Sequence, residues 1–108
     1  KYIKETGTPI FVNCPYPTLD EHIEVTPPFV IGPDTPIPYT APSFFNISGM
    51  SFGALSAPAV RALSRGAKMA GCWLNTGEGA LSPYHLEGGA DIVFQIGTAK
   101  YGVRNADG

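Results

Sequence analysis

Three short stretches of the 108-residue sequence carry residue types suited to ligand chemistry. Ser48-Gly49-Met50-Ser51-Phe52-Gly53 is a glycine-bracketed turn. Its backbone N–H groups can approach a planar or phosphorylated ligand without a Cβ in the way. Any tight turn between a strand and a helix also wants glycine, so ligand contact and simple turn-making both stay open. Asn75-Thr76-Gly77-Glu78-Gly79 sets a carboxylate between two glycines. Glu78 can pair with a substrate ammonium, order another loop, or stand as a solvated loop residue. Gln95 ends an apolar run, and Lys100 follows it. An amide side chain offers donors and an acceptor together, as the polar edge of a pyrimidine-like ring requires. A lysine at that place can neutralise a phosphate or an anionic reduced ring. The plainer alternatives are a strand-end glutamine and a surface lysine.

Other chemistries find little support. The chain has no G-x-G-x-x-G, no G-x-x-x-x-G-K-[ST], no H-E-x-x-H and no G-x-S-x-G. Its two histidines are His22 and His85. Neither has partners at metal-ligand spacing, because Glu24 and Glu87 alone do not make a set. Both histidines are expected at the surface, and no metal site is expected. Cys14 and Cys72 can form a disulfide, but two isolated cysteines make no framework. Cys72 lies in an apolar stretch and reads as a small buried hydrophobe.

The elements that would position these residues follow from proline and glycine. Nine of the 11 prolines lie in residues 1–43, and 11 of the 13 glycines lie in residues 48–108. Residues 1–43 read as an extended, proline-rich arm in which helix is excluded. Ile10-Phe11-Val12 and Phe29-Val30-Ile31 are candidate edge strands or loop anchors within it. From Phe44 the pattern changes. Phe44-Phe45-Asn46-Ile47-Ser48 reads as a strand. Ser56 is a good helix N-cap with Pro58 in the first turn. Val60, Leu63, Ala67 and Ala70 form an apolar stripe, and Arg61, Arg65 and Lys68 form a basic outer face. Gly71 is placed to end that helix. Cys72-Trp73-Leu74-Asn75 reads as a second strand, Ser82 to Leu86 as a short helical turn, and Asp91 to Ile96 as a third strand. Each of the three candidate loops thus follows a strand.

A strand, loop and helix series of this kind predicts a parallel sheet with ligands at the strands' C-terminal edge. The expected class is α/β: an incomplete (β/α)8 TIM barrel, its first three βα units in residues 44–108, preceded by the arm of residues 1–43. The length is far below the roughly 250 residues of a complete barrel. The chain is therefore read as the N-terminal piece of a larger catalytic domain. It lacks an initiator Met, and Lys1-Tyr2-Ile3-Lys4-Glu5 lacks the apolar core of a signal peptide. A net charge of −2 with scattered lysines and arginines argues against nucleic acid. No apolar run is long enough for a membrane span. The expected setting is reducing and cytoplasmic.

Ile47-Ser48-Gly49-Met50-Ser51-Phe52-Gly53-Ala54-Leu55-Ser56 resembles the opening of the FMN-binding synthase domain of glutamate synthases, including their archaeal-type and stand-alone relatives. Asn75-Thr76-Gly77-Glu78-Gly79 is similar to that family's second loop. Gln95-Ile96-Gly97-Thr98-Ala99-Lys100-Tyr101-Gly102-Val103 is similar to its third motif. The order and spacing also agree, over about residues 44–108. The resemblance implies a barrel that binds FMN and reduces 2-iminoglutarate, formed from 2-oxoglutarate and ammonia, to L-glutamate. It implies nitrogen from a glutaminase subunit or domain. It also implies electrons from NAD(P)H or ferredoxin through an iron–sulfur cluster. By the same resemblance, Gly49, Met50 and Ser51 lie against the flavin and Asn75 and Thr76 flank its pocket. Gln95 then hydrogen-bonds the ring with Lys100 near it, and Glu78 takes the catalytic, substrate side.

Lys100 replaces the family's arginine, and Thr98-Ala99 replaces its Ser-Gly pair. The run after Gly79 favours a stand-alone type of relative. An alternative is therefore a related synthase that uses another amine, of the N-methylglutamate type, or a non-catalytic module. Neither cysteine matches a cluster ligand. The family's later glycine-rich and cysteine motifs do not occur up to Gly108, so this polypeptide alone is expected neither to hold FMN stably nor to turn over.

Overall fold

The structure, a computed structural model, describes residues 12, 14–24 and 26–108. Lys1 to Glu5 and most of the candidate strand Ile10-Phe11-Val12 fall outside those residues.

The longest element, helix α1 (Ala57–Ala70), forms where the apolar spacing predicts it. Ser56 is its N-cap in extended backbone, but the side chain makes no capping bond, contrary to the usual role of serine there. At the other end Gly71 adopts the left-handed conformation, φ 66°. Its N–H reaches Lys68 O, and the next N–H, that of Cys72, reaches Ala67 O at 3.0 Å. These two bonds satisfy carbonyls the helix leaves open, and only a residue without Cβ adopts that φ without strain. Val60, Ser64 and Ala67 are the buried residues of α1. The inward face is therefore rotated from the expected one: Leu63 is half-buried, Ser64 joins the core and Ala70 is exposed. Arg61, Arg65 and Lys68 are exposed, as the basic face requires.

The parallel series is present but its ladders are short. Strand β3 is Leu74–Asn75 and strand β4 is Ile92–Val93, paired in parallel with Leu74 opposite Ile92. Ile47 pairs in parallel with Leu74 on the other side of β3. Ile47 N–H donates to Trp73 O at 3.1 Å, and Asn75 N–H donates to Ile47 O at 3.0 Å. The expected strand from Phe44 to Ser48 thus shrinks to one bridge. Its start is diverted by local bonds: Ser43 Oγ donates to Phe45 O at 2.7 Å, and Asn46 Nδ2 donates to Ser43 O at 2.9 Å. Such side-chain bonds compete with strand pairing.

The prolines frame a second sheet. Strands β1 (Phe29–Ile31) and β2 (Tyr39–Ala41) pair antiparallel, with Phe29 opposite Ala41. Pro28, Pro38 and Pro42 adjoin the ladder without entering it, as a residue with no N–H must. This hairpin packs on Trp73: the Phe29 and Tyr39 ring centroids lie 6.2 and 6.4 Å from the indole. Trp73 precedes β3 and Asp91 precedes β4, so the hairpin closes the N-terminal edge of the parallel strands. Residues of α1 and of the parallel strands form a small core of Ala67, Cys72 and Leu74, with Ile47, Met50, Leu63, Ala90 and Ile92 against it. Cys72 is a buried free thiol, as expected, and Cys14 is an exposed one, so no disulfide joins them. Among the described residues, large apolar side chains remain exposed, including Phe45 at 80% and Ile96 at 66%. The described residues form a mixed α/β structure, with two small sheets and two α-helices.

Candidate functional site

Because Ile47, β3 and β4 run in parallel, the chain leaves each of them toward the same edge. The loops that follow meet there. Met50 N–H donates to Asn75 O at 3.0 Å, which ties the first loop to the second. Thr76 is fully buried; its hydroxyl donates to Gly77 O at 2.9 Å and accepts from Gln95 N–H at 3.1 Å, which ties the second loop to the third. Asn75 Oδ1 accepts from Gly77 N–H at 2.8 Å and holds the turn closed.

Glycine makes the convergence possible. A Cβ on Gly49 would lie 2.8 Å from Gln95 Oε1 and 3.2 Å from Gly77 Cα. Gly77 has φ 68°, and a Cβ there would run into Ser51. A Cβ on Gly97 would lie 2.5 Å from Glu78 Oε1, so the Glu78 carboxylate reaches back over the third loop. Gly49, Met50, Ser51, Asn75, Thr76, Glu78 and Gln95 are therefore neighbours at one edge. Lys100 is not brought in to the same degree. It is exposed, in the left-handed region at φ 54°, and among the described residues its ammonium makes no ion pair. A cavity of about 390 Å³ opens between the loops, lined by residues that include Ser51, Phe52, Glu78 and Tyr101. A larger hollow of about 610 Å³ within residues 101–108 contains none of the predicted site residues.

One residue overturns its expectation. His22 is exposed, but His85 is fully buried. It lies in helix α2 (Pro83–Leu86), three residues after the N-cap Ser82. Ser82 N–H donates to His85 Nδ1 at 3.0 Å, and Ser82 Oγ lies 2.8 Å from the same nitrogen. On the far side of the ring, His85 Nε2 lies 2.7 Å from Met50 O. A backbone N–H can only donate and a carbonyl can only accept. The network therefore assigns the neutral tautomer with its proton on Nε2. The arrangement is a capping box with histidine in place of Glu or Gln. The spacing Ser82-Pro83-Tyr84-His85 carried that signal, but the unusual residue type hid it.

Helix α2 is itself fixed to α1. Ser64 is fully buried; its hydroxyl donates to His85 O at 2.7 Å and accepts from Gly88 N–H at 2.8 Å. Glu87 pairs with Arg61 at 2.7 Å and Arg65 at 3.1 Å. The Arg61 hydrogen bond is the main cause that holds the Glu87 carboxyl below its ordinary 4.5. Arg61 also stacks 4.9 Å over the Tyr84 ring, and Tyr84 meets Phe52 of the first loop edge-on at 4.9 Å.

Among the described residues no group of three or more His, Cys, Asp or Glu side chains gathers to hold a metal. No helix among them is long and apolar enough to cross a membrane. Three relatives match part of the chain. A glutamate synthase large subunit-like protein, YerD, of Bacillus subtilis is 44% identical, in a match that covers 82% of this chain. A glutamate synthase large subunit-like protein of Rhizobium meliloti is 41% identical over 56% of the chain. An archaeal-type glutamate synthase [NADPH] of Dehalococcoides mccartyi is 40% identical over 54%. The chain spans 18%, 14% and 12% of the lengths of these three proteins. None of the solved structures matches it significantly. The family described as the conserved region in glutamate synthase matches residues 28–107, across the hairpin and all three loops, and the chain belongs to that family.

Proposed function

We propose that this chain contributes the first three strand-edge loops of an FMN-binding barrel in a glutamate synthase-like oxidoreductase. That enzyme would reduce 2-iminoglutarate, formed from 2-oxoglutarate and ammonia, to L-glutamate. The observation that carries this reading is the meeting of Gly49, Gly77 and Gln95 at one strand edge, within segments that belong to the family. The exposed apolar side chains, such as Phe45 and Ile96, support a larger barrel around this piece.

The residues suit a flavin. Gln95 carries a half-buried amide, and Gly49 leaves beside it a space that one methyl would fill. Gly49, Met50 and Ser51 would present backbone, Gln95 would meet the polar edge of the ring, and Lys100 would balance negative charge. Asn75 and Thr76 would shape the pocket through the loop they brace. Glu78 is exposed at the cavity and would take the substrate side. The flavin, when bound, supplies the two-electron reduction of the imine; the protein's own contribution is orientation and charge. An iron–sulfur cluster does not suit these residues, because Cys72 is packed in the core and Cys14 stands alone and exposed.

The test is the full-length protein, purified and supplied with 2-oxoglutarate, a reductant, and either ammonia or methylamine. Bound FMN with glutamate formed from ammonia is the expected result. N-methylglutamate from methylamine would instead favour the related synthase type. Absence of flavin would overturn the proposal.

A further inference from the structure

We infer that His85 is the positioning residue of the candidate site: its Nε2–H, donated to Met50 O, holds the first strand-edge loop in its ligand-facing shape. Two anchors set the ring. Its backbone carbonyl accepts from the buried Ser64 hydroxyl of α1 at 2.7 Å. Its Nδ1 accepts from Ser82 N–H at 3.0 Å. With both fixed, the ring cannot turn away without leaving a buried nitrogen unpaired, which is costly. The only remaining polar atom, Nε2, meets the Met50 carbonyl at 2.7 Å. That carbonyl belongs to the Gly49-Met50-Ser51 backbone at the loop junction. Tyr84, beside His85 in α2, packs on Phe52 of the same loop, so α2 grips the loop at two points. The unbroken line from α1 through Ser64, His85 and Met50 transmits the rigidity of the longest helix to the loop. The contact with Met50 needs no ligand. Its relevance to a cofactor rests on the proposed function, and the test below separates the two.

In the full-length protein, nitrogen-15 spectra of the His85 ring should show Nδ1 bare and Nε2 protonated. The reverse tautomer would overturn the inference. Two variants divide the ring's duties. His85→Asn keeps an acceptor near Nδ1 for the Ser82 cap and cannot reach Met50. His85→Gln places an amide N–H near the Nε2 position. The hydrogen-bonded amides of Met50 and Gly53 in the first loop, and of Leu55 just after it, should exchange about tenfold faster in His85→Asn, the loss of roughly one hydrogen bond. His85→Gln should restore them, and the Leu74 and Asn75 amides should be unchanged in both. Equal acceleration of loop and strands, or none, would overturn the positioning role. FMN affinity should fall in parallel, about tenfold for Asn and little for Gln. If the wild type holds no flavin while the exchange pattern appears, the proposed function falls and the positioning role stands. If flavin binds and His85→Asn keeps wild-type affinity, the positioning role falls and the function stands.

Discussion

The Tyr39 hydroxyl donates a 2.7 Å hydrogen bond to Asp91 Oδ2 across 52 positions of sequence. It joins the hairpin of the proline-rich arm to the start of β4. Burial first, and then the bond to the carboxylate, push the phenol from 10.0 up to about 12. The folded state thus keeps the phenol proton longer than the unfolded one. Its contribution to stability is whole below pH 10.0 and is lost as pH rises towards about 12. Tyr39→Phe should cost about 1 kcal/mol near neutral pH, because the ring is only half-buried. It should also make the alkaline fall of the melting temperature shallower. Thermal melts of both proteins across that range check this.

Glu87 works in the opposite direction. With its carboxyl held below 4.5 by Arg61, and secondarily by Arg65, its contribution is present above that value and is lost as pH falls through the lowered one. Glu87→Gln should lower stability slightly at neutral pH and flatten the acid limb of the pH–stability curve. Added salt should narrow the difference, since these partners are substantially exposed. An acid limb identical in the two proteins would contradict the role given to the pair.

The glycine loops were legible in the sequence because a small residue after an apolar run marks a turn whatever surrounds it. The end of α1 was equally legible at Gly71, where the helix stops in a left-handed turn. His85 was not. Its burial depends on the Met50 carbonyl, 35 positions earlier, and no local pattern announces that partner. The Phe44-Phe45 start of the first strand misled for a related reason. Apolar content suggested pairing, while Ser43 and Asn46 turned the chain through short-range bonds. The Tyr39–Asp91 bond likewise joins residues that no periodicity connects.

Two glycines in the site should respond differently to alanine. Gly77→Ala forces a Cβ into Ser51 at a positive φ, and neither backbone can give way. A loss of about 2–4 kcal/mol of stability follows from the strain and the overlap together. Gly49→Ala meets the movable end of Gln95 at 2.8 Å before it meets Gly77 Cα at 3.2 Å. It should cost under about 1 kcal/mol of stability and displace the Gln95 amide. If Gln95 meets a flavin, Gly49→Ala in the full-length protein weakens flavin binding while leaving the melting temperature of the flavin-free form nearly unchanged. Calorimetry with and without FMN separates the two effects.

Glu78 tests the proposed division of the site into a cofactor side and a substrate side. Its carboxylate is exposed and folds over Gly97, and it lines the cavity with Ser51, Phe52 and Tyr101. No hydrogen bond of the described residues depends on its side chain, so the loops should keep their shape when it is removed. If the proposed function holds, Glu78→Ala in the full-length protein should therefore retain FMN within about twofold. Turnover of 2-oxoglutarate with ammonia should fall by about tenfold or more, the worth of one hydrogen bond to a charged group. Glu78→Gln keeps the shape and removes the charge, so it shows which of the two matters. Steady-state kinetics and the flavin absorbance of the same preparations provide both readings. If turnover and flavin retention fell together, Glu78 would belong to the cofactor side of the site.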